Sequence, residues 1–238
     1  MFSTFVLVHG GWHGSWCWKR VRRALQARGH EVFTPTLTGL ADRVHLLSPQ
    51  VDLETHINDV TNLIRWEELT DVVLCGHSYA GCVISGVADR VSDRIGALVY
   101  LDAFVLANDQ SLHDAIPAEV RNADIEEARQ VGEGWKVPPI PAEVLNVNAK
   151  DREWVNRQCT MQPLATLQQP IRLTGALNRI ENVTYILANG WASSLFAPFY
   201  EQAKAKGWKT LSMPCGHDVM LDQPEELAEE LMVLSQRD

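Results

Sequence analysis

The sequence predicts an α/β protein with about six mostly parallel strands, helices on both faces of the sheet and an inserted helical segment. Short apolar runs of strand length alternate with amphipathic segments of helical length in the first and last thirds of the chain. The runs show little polar alternation, which is typical of parallel strands covered on both faces. A proline-containing central stretch interrupts this alternation and predicts the insertion.

Length and charge limit the class of protein. The chain has 238 residues, of which 46% are hydrophobic, and this suffices for one large domain with a buried core. Its formal net charge of −9 argues against nucleic-acid and anionic-membrane partners, which require clustered positive charge. A small neutral or apolar molecule fits better as the binding partner, and a homodimer stays open.

Cysteine usage and the N-terminus add further expectations. The five cysteines are scattered and show no metal-ligand spacing, so we expect reduced thiols and neither a metal site nor a cofactor. The first residues lack the basic region of a signal peptide and carry too short an apolar run for a membrane span. A cytoplasmic location is therefore expected.

The individual elements follow from the same patterns. The predicted strands are Thr4–His9, Glu31–Leu37, Asp71–Cys75, Ala97–Asp102, Val183–Ala188 and Trp208–Ser212. The predicted helices lie near Trp16–Arg28, Leu53–Trp66, Tyr79–Val91, Phe196–Lys206 and Glu225–Leu234. In a parallel sheet of this kind, functional groups gather at the carboxyl ends of the strands.

The central stretch, residues 104–180, has a different character. It contains short helical patterns around Pro117–Gln130 and Ala142–Arg157 and no convincing strand. An insertion above the strand ends is typical of a cap or lid over a site. We therefore predict a core formed by residues 1–103 and 181–238, with 104–180 as its cap; a separate domain with its own core is the alternative.

The sequence GHSYAG, residues 76–81, follows a strongly apolar predicted strand. Small residues around a central Ser are what a sharp strand-to-helix turn requires, because such a turn leaves no room for large neighbours. The turn would expose the Ser78 hydroxyl at the mouth of the next helix. Ala80 replaces the usual last glycine and is still small enough. Ser78 is the candidate nucleophile.

A second motif, HGGWHG at residues 9–14, follows the first predicted strand. A glycine-rich turn there frees backbone N–H groups. The N–H groups of Gly11 and Tyr79 can together stabilise a developing oxyanion. A phosphate cradle is the alternative, although the glycine spacing does not match the known phosphate loops. We expect His9 and His13 to support the loop structurally.

A third motif, PCGHDVM, lies between the last predicted strand and the final helix and contains His217. A Ser hydroxyl is a poor nucleophile near neutral pH unless a base within hydrogen-bond reach accepts its proton. Among the eight histidines, His217 has the most suitable position for that base.

Taken together, FVLVHGGWHGSWCW, TPTLTGLADRVHLL, VVLCGHSYAG and GHDVMLDQPEELA resemble the α/β-hydrolase superfamily. The resemblance is to its small cofactor-free esterases, similar to plant methyl esterases and hydroxynitrile lyases. It implies an α/β-hydrolase fold without the first two strands of larger members, and a nucleophile followed by a histidine at the last strand-helix junction. The implied activity is ester hydrolysis through an acyl-enzyme.

The acid of the triad departs from the usual pattern. Most members place it after the penultimate strand, where this chain has Asn189 and no carboxylate. Asp102 ends an otherwise apolar strand and would be costly to bury unpaired, so we predict that it orients His217. Asp218 is expected to point away from the base. Asp222 is expected to cap the final helix.

Substrate identity is only outlined by the sequence. The aromatic residues predicted to line an apolar pocket are Trp12, Phe104, Trp135 and Trp191, with Trp154 and Phe196 as further candidates. Cyanohydrin-cleaving relatives carry a Thr and a Lys where this chain has Gly10 and Asp218, which disfavours lyase activity. A small-molecule binding protein on the same scaffold, or a cofactor-free lyase or lactonase, remains the alternative.

Overall fold

The computed structural model describes residues 2–191 and 195–236. Within them, six parallel strands form a central sheet in the order β2-β1-β3-β4-β7-β8. These strands are β1 Thr4–Val8, β2 Glu31–Phe33, β3 Val72–His77, β4 Ile95–Leu101, β7 Val183–Ala188 and β8 Lys209–Met213. A separate antiparallel pair consists of β5 Lys136–Val137 and β6 Gln162–Pro163.

Helices surround this sheet. They are α1 Lys19–Ala27, α2 Leu53–Trp66, α3 Ala80–Arg90, α4 Leu112–Ala115, α5 Ala118–Val131, α6 Arg152–Gln158, α7 Ala165–Gln168, α8 Ala197–Ala205, α9 Val219–Asp222 and α10 Pro224–Leu234. Within the described residues, no helix is both long and apolar enough to cross a bilayer.

The core lies on both faces of the sheet. Alternate residues of β1 point to opposite sides, as the pleat requires: Phe5 and Leu7 pack with α1 and α10, whereas Val6 and Val8 pack with α2 and α3. All four side chains are fully buried. The continuous apolar strands of the sequence therefore correspond to a parallel sheet covered on both faces, and the predicted fold class is confirmed.

Strand and helix boundaries differ from the predictions by a few residues, and one difference has a clear cause. β2 ends at Phe33 instead of Leu37. Pro35 cannot donate to a strand ladder, and beyond it the Leu37 N–H donates to the His9 ring. The strand is shortened because its last predicted residues bind the loop after β1.

Two predictions for the insertion are wrong. The structure places the short strands β5 and β6 where no strand was expected. The helical pattern at Ala142–Arg157 yields a series of turns followed by α6, because Asn146 adopts a left-handed conformation with φ of 53° and ends the first turn. The assignment of residues 104–180 to a cap stays a prediction.

Candidate active site

A cavity of about 500 Å³ opens at the carboxyl ends of the central strands. Ser78, Tyr79 and His217 line it together with Gly11 from the loop after β1. Most of the other walls are apolar and come from the insertion, and Trp191, Leu195 and Phe196 come from the segment after β7. A larger crevice, about 660 Å³, lies around Ile95 and Lys209 at the amino ends of β4 and β8, away from these groups.

The turn between β3 and α3 holds Ser78 in a left-handed backbone conformation, with φ of 56°. This conformation is costly for a residue with a side chain and persists only where its surroundings enforce it. The Ser78 N–H donates to the Leu101 carbonyl at 3.2 Å, and the Ser78 carbonyl accepts the N–H groups of Gly81 and Phe104. Three backbone hydrogen bonds therefore fix the strained turn.

The glycines on either side explain the pattern GHSYAG. A Cβ at Gly76 would lie 2.7 Å from the Ala80 carbonyl oxygen, and a Cβ at Gly81 would collide with the Phe104 carbonyl oxygen. The Ala80 methyl group is accommodated and is fully buried. Glycine is therefore needed at 76 and 81, so the alanine between them leaves the turn intact.

The loop after β1 packs directly on this turn. A Cβ at Gly10 would lie 2.9 Å from Ser78 Cβ, and one at Gly11 would lie 3.7 Å from Tyr79 Cβ. The two peptide groups predicted to supply the oxyanion donors, those of Gly11 and Tyr79, thus lie side by side at the cavity.

His9 orients the peptide that carries the Gly11 N–H. Its Nε2 accepts the Leu37 N–H at 3.0 Å, so the proton must sit on Nδ1, which donates to the Gly10 carbonyl at 2.8 Å. Burial lowers the pKa of His9 to about 3, so the ring is neutral at ordinary pH. The expectation that His9 supports the loop agrees with these contacts.

The next peptide is anchored by the insertion. The Trp12 N–H donates to Gln162 Oε1 at 3.1 Å, and the Trp12 indole N–H donates to the Val137 carbonyl at 3.1 Å. The Trp12 carbonyl accepts the Thr160 N–H at 2.9 Å. Gln162 is fully buried and also donates to Thr166. The sequence analysis did not single out Gln162, since an isolated glutamine beside a proline carries no recognisable pattern.

His217 lies in the loop between β8 and α9, and its Nδ1 donates to Asp102 Oδ2 at 2.7 Å. Both side chains are buried, at 5% and 0% exposure. The His217 ring stacks on Phe196 with a centroid separation of 4.8 Å, and the His217 backbone N–H donates to the Leu145 carbonyl. The imidazole is therefore held in one orientation and one tautomer.

Asp102 directly follows β4 and has a left-handed φ of 43°. Its second carboxylate oxygen accepts the Ala188 N–H at 3.1 Å. Ala188 ends β7, the strand after which most relatives place the acid. In this chain the end of β7 supplies a backbone donor to the carboxylate of β4, and Asn189 contributes no acid.

The expectation for one of the other two carboxylates, Asp222, is wrong. Asp222 does not cap α10: it accepts the N–H and side-chain amide of Asn148 and the N–H of Gly216. Asp222 is the last residue of α9, and Gln223 occupies the start of α10 without a side-chain cap. Asp218 is buried and accepts a hydrogen bond from His13 at 3.1 Å.

The predicted substrate-binding aromatics divide into two groups. Trp12, Phe104 and Trp191, and the further candidate Phe196, line the cavity. Among the described residues, neither Trp135 nor Trp154 does.

Both excluded rings have other neighbours. The Trp135 ring lies under the Lys136 ammonium group, and Trp154 packs on Trp16. Trp135 is therefore wrong as a lining residue. It follows the glycine turn after α5, and its carbonyl accepts the Leu164 N–H from the segment after β6.

Most lining residues were not identified from the sequence. The aliphatic walls come from α4 and the residue after it, from α5, from the turns between β5 and α6, and from α7: Leu112, Ile116, Val120, Ile140, Val144, Leu145 and Leu167. Asp124 is a carboxylate in the same lining, and the His113 ring lies 3.1 Å from it. The spacing of Leu112 with Ile116, and of Val120 with Asp124, indicates shared helix faces, but nothing in that spacing says what the faces cover.

A match to a family model defines the class of protein. Residues 5–230 match the model described as "Alpha/beta hydrolase family", and the chain belongs to this family.

Individual relatives give a more specific comparison than the family model. The chain is 48% identical over 98% of its length, and 99% of the relative, to a carbendazim hydrolyzing esterase of Nocardioides sp. (strain SG-4G). It is 26% identical, over 86% of its length and 81% of the relative, to a pheophorbidase of Raphanus sativus.

Among solved structures, one match is an extracellular alpha/beta-hydrolase from a Paenibacillus species, described as sharing structural and functional homology with tobacco salicylic acid binding protein 2. Its TM-score is 0.85 at 25% identity, and the match covers 99% of this chain and 100% of that one. The resemblance found in the sequence is confirmed, and the predicted reaction class, ester hydrolysis, agrees with these relatives.

Proposed function

We propose that the protein hydrolyses carboxylic esters of small, apolar or aromatic molecules through an acyl-enzyme, with Ser78 as nucleophile, His217 as general base and Asp102 as the orienting acid. The observation that carries the proposal is the 2.7 Å hydrogen bond from His217 to the buried Asp102, beside a cavity that Ser78 also lines. The esterase name of the relative that is 48% identical supports the same reaction.

In the first half of the reaction, His217 Nε2 takes the Ser78 hydroxyl proton as Oγ attacks the ester carbonyl. Asp102 keeps the proton of Nδ1 in place, so that Nε2 is free to accept, and stabilises the imidazolium that forms. The tetrahedral intermediate collapses when His217 returns the proton to the departing alkoxide. The alcohol leaves, and the acyl group remains on Ser78.

In the second half, His217 deprotonates a water molecule that attacks the acyl carbonyl. Collapse of the second intermediate breaks the bond to Ser78 Oγ, which recovers a proton from His217, and the carboxylic acid leaves. In both halves the negative carbonyl oxygen would accept the N–H groups of Gly11 and Tyr79. Since the peptide of Gly11 is already held by His9, these donors need little reorganisation as the charge develops.

The walls of the cavity indicate the substrate class. Phe104, Trp191 and Phe196 offer aromatic surfaces beside the triad, and the insertion adds aliphatic ones. A volume of about 500 Å³ suits a small molecule with one or two rings. Carbendazim is the first ester to test, because the relative at 48% identity is named for its hydrolysis.

An organophosphonate ester probe and a panel of p-nitrophenyl esters test the proposal. The expected result is a stoichiometric adduct on Ser78, a burst of p-nitrophenol and turnover, all lost in Ser78→Ala and retained in the control Ser48→Ala. A protein that binds small esters without forming an adduct would be a binding protein on a hydrolase scaffold. Turnover that survives Ser78→Ala would exclude the acyl-enzyme.

A further inference from the structure

Two ionisable side chains lie buried beneath the candidate site and face each other. His13 Nε2 is 3.1 Å from Asp218 Oδ2, and the side chains are only 4% and 0% exposed. His13 belongs to the loop that carries the Gly11 donor, whereas Asp218 directly follows His217. The contact therefore joins the two segments, 205 residues apart in sequence, that hold the proposed oxyanion donor and the proposed base.

The partners of His13 restrict its protonation state. Its Nδ1 lies 2.8 Å from the Gly11 carbonyl oxygen, which can only accept, so Nδ1 carries a proton. Its Nε2 faces a carboxylate oxygen, also an acceptor when ionised. A neutral His13 beside an ionised Asp218 would set two lone pairs against each other. The pair must therefore be either an imidazolium with a carboxylate or a neutral imidazole with a carboxylic acid.

The surroundings favour the charged form. The Trp16 indole stacks on the His13 ring, with centroids 5.0 Å apart and planes inclined by 20°, and an aromatic face stabilises a cation. The second oxygen of Asp218 lies 4.0 Å from His77 Nε2, which carries a proton because it donates to the His217 carbonyl at 2.9 Å. That N–H dipole stabilises a negative Asp218.

We propose that His13 and Asp218 form a buried imidazolium–carboxylate pair that positions the Gly11 peptide and the His217 segment relative to each other. The proposal rests on the proposed function for its kinetic part only. Neither residue takes part in bond making; His13 acts through the Gly11 carbonyl, and Asp218 acts through the backbone next to His217. Together with Gln162, which holds the Trp12 N–H, His13 fixes both ends of the Gly11–Trp12 peptide.

The titratable neighbours are consistent with this assignment. Among the described residues, the titratable groups near the pair include His9, His77, His217 and the cysteines Cys17, Cys215 and Cys159, the last with its sulfur 4.0 Å from His13 Nδ1.

Burial opposes charge on His13, but the Cys159 and Asp218 side chains outweigh it and raise the pKa of His13 well above its ordinary value. Burial likewise opposes charge on Asp218, yet His13 holds the pKa of that carboxyl well below its usual range.

Side-chain ¹⁵N NMR tests the charge state without any assay of activity. At a pH of about 8, the wild-type protein should show both His13 nitrogens protonated, while His9 and His77 show the neutral pattern. In Asp218→Asn, the amide can donate to Nε2, so His13 should become neutral with its proton on Nδ1. A neutral His13 in the wild-type protein at this pH would overturn the ion pair, whatever the enzyme's activity.

Kinetics and stability test the positioning role. Asp218→Asn should lower kcat about tenfold with KM within about twofold, since positioning of the donor acts on the transition state. His13→Gln leaves a buried carboxylate without a cation, so the double variant His13→Gln/Asp218→Asn should unfold at an equal or higher denaturant concentration than His13→Gln alone.

Glu153→Gln, which breaks an exposed ion pair with Arg157, is the matched control and should change neither property. An unchanged kcat in Asp218→Asn, with the imidazolium signature present in the wild type, would overturn the positioning role and leave the proposed ester hydrolysis standing.

Discussion

The two halves of the site are built in different ways. The half that the sheet carries places Ser78 and Asp102 directly after strands in left-handed backbone conformations, and His217 in the loop after β8, bound to Asp102 at 2.7 Å. The half that the insertion carries is a wall of aliphatic side chains with few polar contacts. The proposed chemistry would thus depend on backbone geometry that tolerates few sequences, whereas the proposed substrate pocket is formed by packing that many sequences can supply.

The largest effect should come from the buried acid. Asp102→Asn keeps the shape of the side chain but favours the wrong His217 tautomer, and we expect kcat to fall by about three to four orders of magnitude with folding retained. Steady-state kinetics on a p-nitrophenyl ester and thermal unfolding measure the two properties. Asp93→Asn, on the surface, is the control. Near-normal activity in Asp102→Asn, combined with an inactive Asn189 variant, would contradict the assignment.

Acid should lower the stability of the fold through His9, which follows β1. The folded-state pKa of His9 is about 3, below its ordinary value of 6.5, so the unfolded chain binds more protons between these values. Its contribution to stability is complete above pH 6.5 and is lost, at up to about 1.4 kcal/mol per pH unit, as the pH falls toward 3.

Urea unfolding between pH 7 and 4.5 gives this slope. His9→Gln should reduce it in part, because burial also lowers the pKa values of His56 and His77, whereas His45→Gln, at an exposed position, should leave it unchanged. A wild-type slope that His9→Gln fails to reduce would show that other groups govern acid sensitivity.

In the turn that carries Ser78, substitutions of two neighbouring small residues should have different costs in unfolding free energy. Gly81→Ala places a methyl group against the Phe104 carbonyl and should cost about 1–3 kcal/mol of unfolding free energy, with a fall in kcat as Ser78 shifts. Ala80→Gly creates no clash and should cost about 1 kcal/mol or less. Equal costs for both substitutions, measured by chemical denaturation, would contradict the close approach at Gly81.

Gln162 lies where the two halves meet and should have an intermediate effect. Gln162→Met keeps the volume but frees the Trp12 N–H, and we expect kcat to fall about tenfold with KM within about twofold. Gln169→Met is the matched control, because Gln169 binds the insertion to the start of α2 through Asp52 and Glu54. It should lower stability without lowering kcat. If Gln162→Met lowered only stability and Gln169→Met lowered kcat, the contact between the insertion and Trp12 would not contribute to the reaction.

The smallest kinetic effect should come from substitutions in the aliphatic walls of the cavity. Val120→Ala enlarges the cavity at its rim, and KM for esters with bulky apolar groups should rise about two- to fivefold with kcat unchanged. Val131→Ala, on the same helix but outside the lining, should change neither parameter. Comparison of short and long p-nitrophenyl esters gives the measurement. A loss of kcat in Val120→Ala would show that this wall also positions the reacting carbonyl.

The sequence predicted the parts of the molecule that have one structural solution. A strained turn needs glycines at fixed positions, so GHSYAG predicted the turn. A buried carboxylate at a strand end needs a partner, so Asp102 predicted a nearby hydrogen-bond donor. The parallel direction of the strands followed from their apolar runs in the same way.

Contacts made through tertiary structure left no such signal. The hydrogen bond from Trp12 to Gln162 spans 150 residues, and the sharing of Asp222 between Asn148 and Gly216 replaces a local cap that the sequence pattern favoured. Trp135 was expected in the cavity because of its residue type, but its position was decided by the turn that follows α5. Such features depend on which segments meet, and a single sequence does not encode that in any local spacing.

All three polar groups of Trp12 are bound by the insertion: its backbone N–H, its carbonyl and its indole N–H. An outward movement of the insertion would therefore break three hydrogen bonds to the loop that carries Gly11, the proposed oxyanion donor. The exposed side chains among the residues that line the cavity include Val120, Val144 and Leu195, which lie at its opening. If the protein hydrolyses esters as proposed, the width of this opening will limit which of them reach Ser78.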